Sequence, residues 1–128
     1  MRIHKTDIEK AEQAKLIIEK EYYKQHTYQD LAQLVCTNVS KLQVTFKMVT
    51  NLNLYEYYSM IRVEKAMELL ENTELTIDAI AARVGIDRTN LNKQFKKIKG
   101  ISPGKWRLEQ EKEMHRKYVE SGRLFRTV

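Results

Sequence analysis

Two short stretches of the chain gather side chains suited to reading a hydrogen-bonding surface. In the first, Ser40, Gln43, Val44 and Lys47 project to one side of a helix while Val39, Leu42, Phe46 and Val49 form the opposite stripe. In the second, Arg88, Thr89, Asn92, Lys93 and Lys96 oppose Leu91, Phe95 and Ile98. A carboxamide such as Gln43 or Asn92 donates and accepts together, which matches an adenine edge; Val44 matches a thymine methyl, and Arg88 or Lys93 a guanine. Ser40 and Thr89 complete this group of candidate base readers. Lys41, Lys47, Lys96, Lys97, Lys99, Lys105 and Arg107 are candidate phosphate contacts, which position a protein but carry little sequence information. The bland reading of these cations is a solvated face. Against it stands their distribution: Arg88 to Arg107 holds seven basic residues and no acid, and Leu31 to Tyr55 holds two basic residues and no acid.

Each stretch needs a helix to hold it and a second helix to brace it. Thr27 and Asp30 form a capping box that opens a short helix ending near Cys36, and Asn38 caps the next, to about Val49. Further on, Thr76 caps a helix ending at Val84, Gly85 supplies a turn, Asp87 caps a helix to about Lys99, and Ser102-Pro103 starts a last one with Pro at its first position. Sliding the chain by 49 positions superimposes these two halves without a gap. Caps pair as Thr27/Thr76, Asn38/Asp87 and Asn53/Ser102, and core positions as Leu31/Ile80, Ala32/Ala81, Leu42/Leu91, Phe46/Phe95 and Leu52/Ile101. The chain is expected to be all-α, with two helix-turn-helix units, 27–52 and 76–101, joined by a connector helix, 53–72.

The connector begins at the N-cap Asn53 with Glu56 in the capping-box position. Its expected apolar arc holds Leu54, Tyr55, Tyr58, Ile61, Val63, Ala66, Leu69 and Leu70, and its outer face is acidic. Arg62 falls inside the arc, where a charge needs a partner, so it is either a structural ion pair bridging the two units or a phosphate contact. Upstream, a capping box of Thr6 and Glu9 predicts a packing helix from Thr6 to Lys24, with Ile8, Ala11, Ala14, Ile18 and Tyr22 inward. Trp106 aligns with Tyr57 in the repeat and is expected to pack rather than stack on a base. Residues 109–128 form a charged extension, expected to fray or to dock through Met114, Tyr118 and Val119.

The formal charge of +6 and a pI near 9.4 point to a polyanionic partner. Only a few apolar residues occur in succession and the first ten lack the core of a signal peptide, so a cytoplasmic protein with no membrane partner is expected. The single cysteine, Cys36, reads as a half-buried residue at a helix end. His4, His26 and His115 lack the company a metal needs, and no nucleophile, paired carboxylate or phosphate loop is evident. No catalytic site, metal or cofactor is expected.

The stretch LTIDAIAARVGIDRTNLNKQFKKIKGISPGKWR, Leu75 to Arg107, resembles the signature of the AraC/XylS family of bacterial transcription regulators, and Tyr57-Tyr58, Ile61-Arg62 and Ala66 with Leu69-Leu70 resemble that family's connector. The resemblance covers about Ile17 to Arg107. Three departures stand out: Ile86 leads directly into Asp87, Cys36 occupies a place where glycine is common, and Leu91 replaces a common Phe. The resemblance implies an AraC-type, homeodomain-like DNA-binding domain over 1–108. It further implies a regulator of the bacterial nucleoid, an activator more often than a repressor, that contacts double-stranded DNA as a monomer unless fused to a dimerisation domain, and that contacts RNA polymerase. The ligand-binding domain carried by most members has no room here, so the chain is either a stand-alone regulator or part of a longer one. The competing class is a protein-interaction module that uses the same helices on an acidic partner.

Overall fold

Six side-chain caps set the starts of six helices. Thr27, Asn38, Asn53, Thr76, Asp87 and Ser102 each accept a hydrogen bond from the backbone N–H three residues on, which satisfies a donor that the helix itself leaves open. The computed structural model describes residues 1–122 and contains α1 (Lys5–Lys20), α2 (Tyr28–Leu34), α3 (Val39–Thr50), α4 (Leu54–Asn72), α5 (Ile77–Arg83), α6 (Arg88–Lys99) and α7 (Pro103–Glu120). No strand occurs among the described residues.

The opening of α1 differs from the expected Thr6 and Glu9 box. The N-cap is His4, and the Asp7 carboxylate accepts from its backbone N–H at 2.8 Å. The helix also stops at Lys20 rather than Lys24, leaving Tyr22 in the loop that follows. This earlier start exposes a longer repeat. Shifted by 49, α1 falls on the first part of α4, His4/Asp7 falls on the capping box Asn53/Glu56, and α4 in turn falls on α7 along its whole length. The duplicated unit therefore has three helices, α1–α3 and α4–α6.

Two cores form, divided along α4. The first takes Ala11, Ala14 and Ile18 of α1, Leu31 of α2, Leu42 and Phe46 of α3, and Leu54, Tyr57, Tyr58 and Ile61 of α4. The second takes Val63, Ala66 and Leu70 of α4 with Ile80, Val84, Leu91 and Phe95. At 1.5 Å per residue α4 is about 28 Å long and serves both. Tyr55 leaves the expected arc and is 62% exposed, whereas Tyr57 is 3% exposed. Tyr57 turns inward because its hydroxyl donates to Glu19 Oε1 at 2.6 Å, tying α4 to α1; burial, then this carboxylate, raises its pKa.

Arg62 sits between the two cores and is 4% exposed. It forms no ion pair among the described residues and is not open to phosphate. Its Nε donates to Tyr22 O at 2.9 Å and its Nη1 to Gln25 Oε1 at 3.1 Å, and its guanidinium lies 4.7 Å from the Tyr58 ring centroid. Burial lowers its pKa. The loop it holds reaches both units, since Tyr22 packs against both cores. A Cβ added to Gly85 would come within 2.4 Å of Tyr23 O, so this glycine, at φ +89°, is where the second unit receives the loop.

α7 continues unbroken to Glu120, with Arg116 paired to Glu113 and Glu120, so the extension does not fray over this length. Met114, Tyr118 and Val119 are exposed rather than docked on the body. Residues 123–128 of the extension lie outside the described residues.

Candidate nucleic-acid interface

The third helix of each unit is anchored by one aromatic residue. Phe46 of α3 is fully buried and meets the Tyr57 ring edge-on at 5.4 Å; Phe95 of α6, also fully buried, meets Trp106 at 5.9 Å. Trp106 thus packs, as its alignment with Tyr57 implies. Leu42 and Leu91 are buried one turn earlier. With these positions fixed, the opposite face of each helix is left to solvent.

On α3 that face holds Ser40, Gln43, Val44 and Lys47, all exposed. It also holds Met48, 56% exposed, which was not singled out from the sequence although it lies four residues after Val44. Gln43, Val44, Lys47 and Met48 share one shallow hollow. On α6, Arg88, Thr89, Lys93, Lys96, Lys97 and Lys99 are exposed and Asn92 is half-buried. In repeat register Ser40 matches Thr89, Gln43 matches Asn92, and Lys47 matches Lys96. Lys105, in the first turn of α7, is exposed as well.

Several predicted site residues have other partners. Lys41 Nζ lies 3.5 Å from Asp7 Oδ2. The Asp7 carboxyl is held below its ordinary pKa, first by the His4 backbone N–H and then by Lys41, with partial burial opposing both. Arg88, the first residue of α6, meets Asp78 at 3.4 Å, with both side chains exposed. Arg107 is only partly exposed, and its guanidinium donates to three carbonyls, Leu70 O at 3.2 Å, Thr73 O at 3.2 Å and Leu75 O at 2.6 Å. These lie at and beyond the carboxyl end of α4, where backbone acceptors lack helical partners. Arg107 is therefore a clamp on the connector. In repeat register it matches Tyr58, whose hydroxyl accepts from His26 N at 3.0 Å, just before the cap of α2.

Two further expectations are corrected. Ile98 does not join the inner stripe of α6; it is 44% exposed. Gln94 is buried in its stead, and its Oε1 has no hydrogen-bond partner among the described residues. Cys36 is exposed, not half-buried, and adopts φ 60°.

The outer faces of α3 and α6 present hydrogen-bonding and cationic groups without an acid on either helix. Such a surface suits a polyanion bearing hydrogen-bonding edges. A family of helix-turn-helix domains matches residues 31–109. Among relatives, the chain is 36% identical over 98 residues to the Msm operon regulatory protein of Streptococcus mutans serotype c, a match covering 76% of this chain and 35% of that protein. The chain thus spans about a third of that relative's length. Among solved structures, it resembles the C-terminal domain of AraT, a response regulator from Geobacillus stearothermophilus, with a TM-score of 0.74 and 29% identity over 85% of this chain and 88% of that one. The fold is also that of the DNA-binding domain of AdpA, a global transcriptional factor solved in complex with a target DNA, with a TM-score of 0.76 and 20% identity over 80% and 94% of the two chains.

Proposed function

Because the chain belongs to the AraC-type helix-turn-helix family, a family of DNA-binding transcription regulators and not of enzymes, we propose that it recognises a specific double-stranded sequence by placing α3 and α6 in successive major grooves. The observation that carries this reading is the matched register of polar side chains on the two helices, exposed Ser40 with exposed Thr89 and exposed Gln43 with half-buried Asn92. Ser40, Gln43 and Val44 read one block; Thr89, Asn92 and Lys93, with Arg88 once released from Asp78, read the other. The two units are similar but not identical, so the site is a non-palindromic pair of blocks bound by a monomer. Lys47, Lys96, Lys97, Lys99 and Lys105 neutralise phosphates, and Lys41 joins them when it leaves Asp7. Regulation is by activation, through contact with RNA polymerase, inside the bacterial cytoplasm. No helix among the described residues is long and apolar enough to cross a membrane.

Sequences selected from a random duplex pool test this reading when titrated against random duplex at several salt concentrations. Selected duplex should bind at least about a thousandfold more tightly. If these five lysines and the groove-entering Lys93 each release one counterion, the log–log salt slope should lie at about −5.4. Equal binding of selected and random duplex would leave a protein-interaction module for an acidic partner as the better account.

A further inference from the structure

The repeat contains its own control for how the first helix of a unit packs on the third. In the first unit α1 closes on α3: Ala11 and Ala14 are fully buried, Thr45 is 1% exposed, and the Thr45 hydroxyl donates to Lys41 O at 2.8 Å. Shifted by 49, those positions read Met60, Val63 and Gln94. There α4 and α6 stand apart around a cleft of about 310 Å³, with Met60 and Ile98 on its apolar walls and Lys93 and Lys97 beside them. Ser59 and Gln94 also line it. These residues are 7% and 9% exposed, and Ser59 Oγ and Gln94 Oε1 are buried without a hydrogen-bond partner among the described residues. Buried polar atoms nearly always find partners, so two open ones on side chains that line a single cleft mark a place where a small side-chain rotation would let a bound group satisfy them.

We propose that this cleft binds a small amphipathic anion: an apolar body carrying one hydrogen-bond donor, with an acidic head. The Gln94 amide and the Ser59 hydroxyl rotate toward the cleft to meet the donor, and the body covers Met60 and Ile98. The acidic head meets Lys93 and Lys97. Glu56, the one acid of the lining, already accepts from Asn53 N at 3.1 Å, and it directs the head toward the α6 side. A volume of about 310 Å³ is at the small end for ligand pockets, which suits a compact molecule rather than a peptide. Lys93 and Lys97 also belong to the outer face of α6. A further consequence, which rests on the DNA-reading role proposed above, is that ligand and duplex weaken each other by the same factor.

8-Anilinonaphthalene-1-sulfonate has the required parts, fused apolar rings, an aniline N–H and a sulfonate, and reports binding by its fluorescence. Titrated into the whole chain, it should occupy one saturable site and shift the amide resonances of Ser59 and Gln94. Ser59→Leu fills the cleft and should weaken the dye by about tenfold, the worth of roughly one good contact. Ile98→Glu changes an exposed residue, so the fold stands, and it should weaken the dye comparably by repelling the sulfonate. Dye affinity unchanged by both substitutions, or resonance shifts confined to other residues, would overturn the site; the DNA reading is judged separately, by duplex binding without dye. Selected duplex should displace the dye. Dye that stays bound in the cleft while duplex binds at full strength overturns the coupling.

Discussion

The two three-helix units share caps, turns and buried aromatics, yet two exposed apolar side chains of the first reading helix face lysines in the second: Val44/Lys93 and Met48/Lys97. At those two positions the second unit carries a cation and the first an apolar group. What was kept after duplication is what makes the unit fold; what changed is what meets the outside. Backbone conformation shows the same division. The left-handed positions coincide, Cys36 with Gly85 and Asn51 with Gly100, so the path of the chain was kept even where the first unit lacks glycine. Only at Gly85 does another backbone, that of Tyr23, press against the missing side chain.

The largest expected effect tests that last difference. Gly85→Ala should cost about 3 kcal/mol or more, from a left-handed alanine and a clash with fixed backbone. Cys36→Gly, at the matched position, should stay within about 1 kcal/mol of the parent and on the stabilising side. Urea denaturation checks both, and equal losses at the two positions would break the comparison. Next is the clamp at each connector end. Arg107→Ala strips three carbonyls of their donors and should cost about 2–4 kcal/mol, while Tyr58→Phe, losing one hydrogen bond, should cost about 1 kcal/mol. Thermal melts that rank the pair in the reverse order would show that Arg107 is held for another purpose.

On DNA the contrast should appear as two kinds of loss. Lys93→Ala should cost about 1–3 kcal/mol at one block and reduce the salt slope by about one, whereas Val44→Ala should alter preference at the other block with the slope unchanged. Filter binding across salt on selected duplex separates them; matching slope changes would mean that the units do not divide the work. The smallest effect concerns Asp7, which has Lys41 in reach, while the Lys41 counterpart in the second unit is Asn90. The folded Asp7 carboxyl titrates below its ordinary 3.8. Its stabilisation is therefore complete above that value and is lost as pH falls through the lower, folded one. Asp7→Asn should melt slightly below the parent at pH 6, and the gap should narrow as pH falls through and below 3.8. A gap that persists in acid would assign the effect to packing.

Much of this arrangement was legible in the sequence because it is locally encoded. A capping side chain acts on a backbone group three residues away, and an apolar stripe repeats within one helix, so six caps and the register of both units could be read directly. Charge placement likewise marked the outer faces of α3 and α6. Less legible were side chains whose partners lie a whole unit away. Arg107 finds carbonyls more than thirty positions upstream, and Arg62 finds the loop after α1; nothing near either residue announces these partners. The unit also looked shorter than it is, because α1 is capped by His4, a residue seldom expected in that role, and so its match to α4 was hidden. Ile98 departs from the inner stripe for a packing reason. Its counterpart Val49 lies on a helix closed against α1 through alanines, whereas bulkier Met60 stands where Ala11 would be and leaves the end of α6 uncovered.

The loop of Tyr22 to Gln25, gripped by Arg62 and pressed against Gly85, turns two reading units into one body. A body with two fixed prongs is sensitive to helical phase. Once one block is held, engaging the other is an intramolecular step whose gain depends on whether the second block faces the same way. Inserting a single base pair between the blocks rotates one against the other by about 34°, and inserting a half-turn puts them on opposite sides of the duplex. Affinity should then rise and fall with spacer length at the period of the double helix, and cutting the grip with Arg62→Ala should flatten that oscillation before it abolishes binding.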